Sequence, residues 1–221
     1  MIETLAKNLE VWSGPLLNGT ILTVFLTFTS FAVGLSLGLV LALARLNRKL
    51  WYFYWPAQTF VELIRGTPLI VQLFYLFFVL PFVGITMDPI TTGILGLGIN
   101  YGAYMSEVYR GGIEAVERGQ WEAAHALAMP TSLIMRAVVL PQAFRIIIPP
   151  MGNYFVALFK DTAIVATISI TELLFTARLI ASQTFQYLQV YTIVLVIYFV
   201  ISYPASRAVA RLERYMRIAD R

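Results

Sequence analysis

Of the 221 residues, 59 % are apolar and 13 % are charged, against about 45–50 % and about 25 % in ordinary globular chains. The mean hydropathy is +0.75, more apolar than one core with a wetted surface requires. The absence of Cys excludes a disulfide scaffold, thiolate metal sites and thiol catalysis, and a single His argues against a His-based metal site. What remains is a polytopic membrane protein, whose net charge of +4 is informative by position rather than as a sum.

A hydrocarbon core of about 30 Å takes roughly 20 apolar helical residues, and five stretches qualify. The opening MIETLAKNLE carries acids where a secretory leader has a basic region, so the first span, about Leu17 to Ala44, is expected to remain as a helix. The Asn18-Gly19-Thr20 sequon lies too close to the membrane edge to be used. Trp51, Tyr52, Tyr54 and Trp55 read as an interfacial belt at the start of the second span, about Ala57 to Ile85. Within that span Pro68 removes a ladder hydrogen bond and predicts a kink. The third span, about Ile90 to Tyr109, carries Asn100 and Glu107. The fourth, about Ile148 to Thr171, carries Lys160 and Asp161, and the fifth runs from about Leu188 to Ser206. Glu172 to Tyr187 reads as a short amphipathic helix, with Leu173, Leu174, Ala177 and Ile180 at helical spacing. The basic tail, residues 207–221, reads as an amphipathic anchor on anionic lipid.

In lipid the backbone must satisfy its own hydrogen bonds, and no stretch alternates with period two as a barrel strand does. The expected fold is therefore an all-α integral membrane protein of five transmembrane helices, one membrane domain over 1–221 without internal repeats. Loop charges orient it. Arg45, Arg48 and Lys49, then Arg110, Arg118, Arg136 and Arg145, then Arg207, Arg211, Arg214, Arg217 and Arg221 share one side, and Lys7 and Arg178 the other, twelve against two. The N-terminus is expected outside and the C-terminus inside.

The long inner connection, about 110–147, is the most informative segment. Gly119 and Gln120 precede a helix-forming run from Trp121 to Met129, stopped by Pro130, and a second helical stretch runs on to Leu140-Pro141. The first run makes a rigid knob, kept thin by Ala123, Ala124 and Ala128, with Glu122 in its first turn, where a carboxylate suits the helix dipole.

Glu122-Ala123-Ala124, then Ala128, then Leu140-Pro141 resembles the EAA loop of ABC importer permeases. The flanking Glu62-Leu63-Ile64-Arg65-Gly66-Thr67-Pro68, Glu107 with Arg110-Gly111-Gly112, Gly152-Asn153 and Lys160-Asp161-Thr162 are similar to its polar-amino-acid branch. The resemblance covers nearly the whole chain. One departure is Ala128, where the family usually has Gly; Ala is expected to keep a tight helix contact with slightly altered geometry. The resemblance implies a type I ABC importer permease in a bacterial cytoplasmic membrane, paired with a second permease subunit, identical or homologous. It implies two cytoplasmic ATPase subunits as partners and an extracytoplasmic solute-binding protein that delivers a polar amino acid, or a compatible solute such as ectoine. Gly119, Glu122, Ala123, Ala124, Ala128 and Met129 would form the coupling surface. The chain has no GxxxxGK[ST] phosphate loop, so ATP and Mg²⁺ are expected on the partner, with no cofactor, metal or catalytic residue here.

Charges and amides at membrane depth are costly and mark either structural links or a solute path. Both readings stand for Arg65, Thr67, Asn100, Tyr104, Lys160 and Asp161. Glu62 and Arg65, three apart, are expected to pair along the helix. Lys160, about 18 Å into its span at about 1.5 Å per residue, is expected to be buried. Ser36, Ser106 and Ser169 have no His in any span to activate them, which argues against an intramembrane enzyme. A transporter working without ATP gives no reason for a knob-like inner loop.

Overall fold

The computed structural model describes the backbone of residues 2–218 and the side chains of residues 10–216. Lys7, Arg217 and Arg221 of the charge argument lie outside the described side chains. Among the described residues all regular structure is helical. Three continuous stretches are long and apolar enough to cross a membrane: Glu10–Leu46, Thr131–Ile168 and Tyr187–Met216, with the bent pair Trp51–Arg65 and Leu69–Val83 as a fourth.

The first helix, α1 (Ile2–Leu46), extends well beyond the expected span at its N-terminal end. Thr20, Thr23, Thr27, Thr29 and Ser36 each donate to the carbonyl four residues back. That bond shields a hydroxyl which lipid cannot solvate. α2 (Trp51–Arg65) then starts earlier than expected and ends at Gly66. The expected kink is a full break: α3 (Leu69–Phe74) leaves at 108° to α2. Pro68 lacks an N–H and forces Thr67 out of helical geometry, so the ladder cannot cross this point. α3 continues through a π turn, Tyr75–Val79, and a 3-10 turn, Leu80–Val83, closed by Gly84 at φ +86°.

The next helix, α4 (Pro89–Glu114), begins at Asp88, whose side chain accepts the Thr91 N–H at 3.0 Å. Twelve of its residues are buried, five of them Gly. It is the central helix, sheathed by α1, α2, α3 and the Thr131–Ile168 stretch. Its contact with α1 is made through glycine. A Cβ on Gly38 would lie 2.9 Å from the Gly102 carbonyl oxygen, and one on Gly98 3.2 Å from that of Ser30. Gly34 faces Gly98 and Gly102 in the same way. The pairing advances in the same direction on both helices, so α1 and α4 run parallel.

After α5 (Arg118–Ala126) the chain departs from expectation again. The stretch expected before Pro141 and the fourth span are one continuous helix. It comprises α6 (Thr131–Ile134), a π turn at Met135–Val139, α7 (Leu140–Asp161) and a 3-10 turn at Thr162–Ile168. The π turn sets the wider spacing just where Pro141 withholds its N–H, and Gln142 Nε2 donates to the Val138 carbonyl at 2.9 Å. The chain therefore continues through Pro141, Pro149 and Pro150.

The expected amphipathic connection is α8 (Leu173–Thr184), which buries Leu173, Ala177, Ile180 and Ala181. Glu172 caps it, accepting from the Leu174 and Phe175 amides at 2.9 and 2.8 Å. The Tyr198 hydroxyl donates to the same carboxylate at 3.3 Å. Complete burial pushes this carboxyl above the usual range, against the pull of those donors. The fifth span and the basic tail form one helix, α9 (Tyr187–Ile218), rather than two elements.

Gly38→Ala is expected to destabilise the assembled protein by about 1–3 kcal/mol, the range for overpacking a tight contact. Gly14→Ala, where a Cβ meets nothing within 4 Å, is the control and should unfold at or slightly above the wild-type temperature. Equal thermal midpoints for the two variants would show that the α1–α4 seam is looser than described.

Candidate functional site

A cleft of about 300 Å³ opens where α4 passes the α2–α3 break and the end of α7, at the lower end of the range for ligand pockets. Thr67, Asn100, Tyr101, Tyr104, Tyr154 and Asp161 are among its lining. Asn100 and Tyr104, four apart on α4, share that face as their spacing predicts. Tyr154 meets Tyr101 edge-on and tilts against Tyr104, each with ring centroids 6.0 Å apart. Asp161 accepts a hydrogen bond from the Tyr101 hydroxyl at 2.7 Å. Among the described residues no cation lies within ion-pair distance of it.

Thr67 and Asn100 also carry structural bonds. The Thr67 hydroxyl donates to the Leu63 carbonyl at 2.9 Å. Asn100 donates to Gln72 Oε1 at 3.0 Å. Gln72 is the residue that sequence reasoning missed. Its Nε2 lies 2.7 Å from the Ile64 carbonyl and 3.1 Å from that of Thr67, capping the backbone that the break leaves bare. A lone amide one turn beyond Pro68, in an otherwise apolar run, was the available signal. Lys160, expected to be buried, is instead exposed and absent from the cleft lining. Adjacent helical residues point about 100° apart, so the turn that aims Asp161 inward directs Lys160 away.

Below the cleft, at the α5 end of the bundle, Glu107 gathers three guanidinium groups. Arg45 of α1 binds its Oε1, Arg65 of α2 approaches the same oxygen at 3.5 Å, and Arg110 donates to Oε2 at 2.7 Å. Arg45, read above as a loop charge, is 4 % exposed and also bonds Gln58 and Ser106. Losing one partner of such a buried pair costs about 3–5 kcal/mol. The expected Glu62–Arg65 pair does not form: Glu62 accepts from Gln58 instead, and the Arg65 guanidinium lies 5.5 Å over the Tyr104 ring. Arg65 thus borders the cleft from the side of Glu107.

The protruding element is α5. It begins at Arg118, three residues earlier than expected, so Gly119 lies in its first turn and Glu122 in its second. Gly119, Glu122, Ala123 and Ala128 are exposed. Ala124 is buried at 4 %, and Trp121 and Met129 pack into the same core. Of the six expected coupling residues, Ala124 therefore faces its own chain, and Met129 is half-buried against the same core. The helix ends in a left-handed residue, Ala128 at φ +56°, with Met129 N–H bonded to the Ala124 carbonyl at 3.2 Å. This is the position where glycine is the common choice. The departure at Ala128 therefore strains the backbone; it does not thicken a helix contact.

The family model for the binding-protein-dependent transport system inner membrane component matches residues 34–218. The chain is 46 % identical to the probable amino-acid ABC transporter permease y4tG of Sinorhizobium fredii, over 88 % of this chain and 84 % of that protein. It is 35 % identical to the glutamine transport system permease GlnP of Escherichia coli, over 92 % and 93 % of the two chains. A crystal structure of an amino acid ABC transporter with histidines superposes with a TM-score of 0.90 at 36 % identity, covering 94 % of this chain and 97 % of that one.

Placing a non-glycine residue in the left-handed region costs about 1–2 kcal/mol. Ala128→Gly is therefore expected to stabilise the end of α5 by about 1 kcal/mol, read as several-fold slower amide exchange over residues 125–129. Unchanged exchange there would remove the strain assignment.

Proposed function

The chain belongs to the family of inner membrane components of binding-protein-dependent transport systems, and from that premise we propose how it works. It is a multi-pass membrane protein with the type I permease fold, a permease subunit of an amino-acid ABC importer that acts with ATPase partners. The finer reading is ours. One permease domain spans 1–221 and pairs with a second permease subunit, identical or homologous. Two ATPases, which bind the ATP and Mg²⁺, sit beneath the pair, and an extracytoplasmic binding protein delivers the solute. The N-terminus lies outside and the C-terminus in the cytoplasm of a bacterial cell, a reading supported by the loop charges. α5 then faces the ATPase and is the coupling helix, with Gly119, Glu122, Ala123 and Ala128 on the docking side.

The solute path runs through the tyrosine-lined cleft. The observation that carries this reading is Asp161: a carboxylate in a cleft, hydrogen-bonded to a tyrosine hydroxyl, with no cation within ion-pair distance among the described residues. An amino acid's ammonium complements that carboxylate, and its carboxylate complements Arg65 at the rim beside Tyr104. Thr67, Asn100 and Tyr104 shape the wall between them. Lys160 takes no part in the cleft of this subunit. ATP binding closes the ATPase dimer, α5 moves with it, and the permease exchanges inward-open and outward-open forms. Only contacts that differ between the two forms can drive this exchange.

Asp161→Asn is expected to leave assembly intact and to raise the apparent KM for transport about tenfold or more. That is the loss of one charge-assisted hydrogen bond, roughly 1.5–3 kcal/mol. Normal kinetics with normal assembly would take Asp161 out of the path. For coupling, Ala123→Arg on the exposed side should abolish transport and ATPase stimulation while the subunit still inserts. Ala124→Arg on the buried side should instead reduce the yield of folded protein. Full transport by Ala123→Arg would show that α5 docks through another face.

A further inference from the structure

The α1–α2 turn and the end of α4 enclose a second cavity, of about 490 Å³, which the transport cycle does not use. Arg45, Arg48, Lys49 and Arg110 line it, with Glu114 as the one lining carboxylate. Arg45 and Arg110 are engaged by Glu107, and Arg110 also by Glu114. Arg48 and Lys49 have no carboxylate within ion-pair distance among the described residues. Four cations against Glu107 and Glu114 leave two positive charges at the cavity. One unused donor sharpens the imbalance: Arg110 Nε is buried without a hydrogen-bond partner.

The cavity's surroundings say where that anion comes from. The turn joins two membrane-crossing elements, and Trp51, Tyr52 and Trp55 are all more than half exposed beside it. Rings of this kind sit at headgroup depth. The same three residues line an apolar groove of about 670 Å³ that runs along α2 to Leu63. A soluble anion needs no such groove, whereas a phospholipid brings acyl chains that can fill it. We propose that this cavity binds the phosphate of an anionic phospholipid, with Arg48 and Lys49 as its principal ligands and the α2 groove receiving an acyl chain. Basic pockets between membrane helices have the chemistry to hold such headgroups. The inference rests on the proposed orientation only for which leaflet supplies the lipid.

The test uses the whole importer, permease with its ATPases, in nanodiscs of phosphatidylcholine containing increasing phosphatidylglycerol. Native mass spectrometry should show phosphatidylglycerol retained in preference to phosphatidylcholine. The double variant Arg48→Gln/Lys49→Gln should weaken that retention roughly 30-fold, the effect of removing two interfacial cations. Leu63→Arg in the groove should weaken it independently of headgroup charge. Equal retention by wild type and double variant overturns the proposal. So does displacement of the lipid by millimolar inorganic phosphate, which would mark a free-anion site. Retention only when the ATPases are stripped away also overturns it, because the surface would then belong to that partner. These readouts do not involve transport, so they stand apart from the Asp161 and Ala123 experiments.

Discussion

The close approach of α1 and α4 at their glycines sets the spacing of everything else. Gly34 and Gly38 on α1 meet Gly98 and Gly102 on α4, each pair four residues apart. In lipid, where apolar burial gives little drive for helices to associate, such small-residue faces let backbones approach and gain dispersion and weak Cα–H···O contacts. The two helices run parallel, so their polar ends arrive at the same level. Arg45 can then reach Ser106 and Glu107 from within the bundle. Once Glu107 is fixed there, Arg65 is drawn from α2 onto it, and α2 is held against α4 up to the break. A wider α1–α4 separation would leave Arg45 buried without its carboxylate.

Much of this was legible because lipid enforces regularity. Long apolar runs had to be helical, Pro68 had to interrupt one, and Asn100 and Tyr104 had to share a face. What escaped had local causes that composition does not record. The 108° angle at Pro68 depends on Gln72 bonding carbonyls on the other side of the break. The merging of α6 and α7 depends on a π turn that absorbs Pro141, so a proline that reads as a stop lies inside a helix. The direction of Ala124 is decided by packing: Ala123 and Ala124 are adjacent on α5 and point about 100° apart, and only the second meets the core of its own chain. Ala128 was noticed in the sequence as a departure, but only its backbone dihedral shows that it marks a left-handed terminus.

The two candidate sites share their supports. α4 carries Asn100, Tyr101 and Tyr104 on the cleft and ends at Glu114, with three residues between it and α5. The helix that opens at Thr131, with four residues between it and the end of α5, carries Asp161 to the cleft's opposite wall. Each wall of the cleft is thus carried on an arm that starts next to the same short helix. From Tyr104 to Glu114 the arm is roughly 15 Å, and from Thr131 to Asp161 roughly 45 Å, at about 1.5 Å per residue. Arms of such unequal length do not move together when their common base shifts.

The joint in the longer arm is the π turn at Met135–Val139, one turn above α5, where the regular hydrogen-bond ladder is already interrupted. A bend there costs less than a bend in an intact helix, because fewer regular bonds must be broken. The shorter arm has no comparable break, and Glu107 ties it to α1 and α2 through three guanidinium groups. In the proposed cycle, movement of α5 therefore swings the Asp161 wall against a stationary wall of Asn100 and Tyr104. The hydrogen bond between Tyr101 and Asp161 spans the two walls, as do the ring contacts of Tyr154 with Tyr101 and Tyr104. Opening must stretch all three, and the hydrogen bond is the one that a bound ammonium can replace.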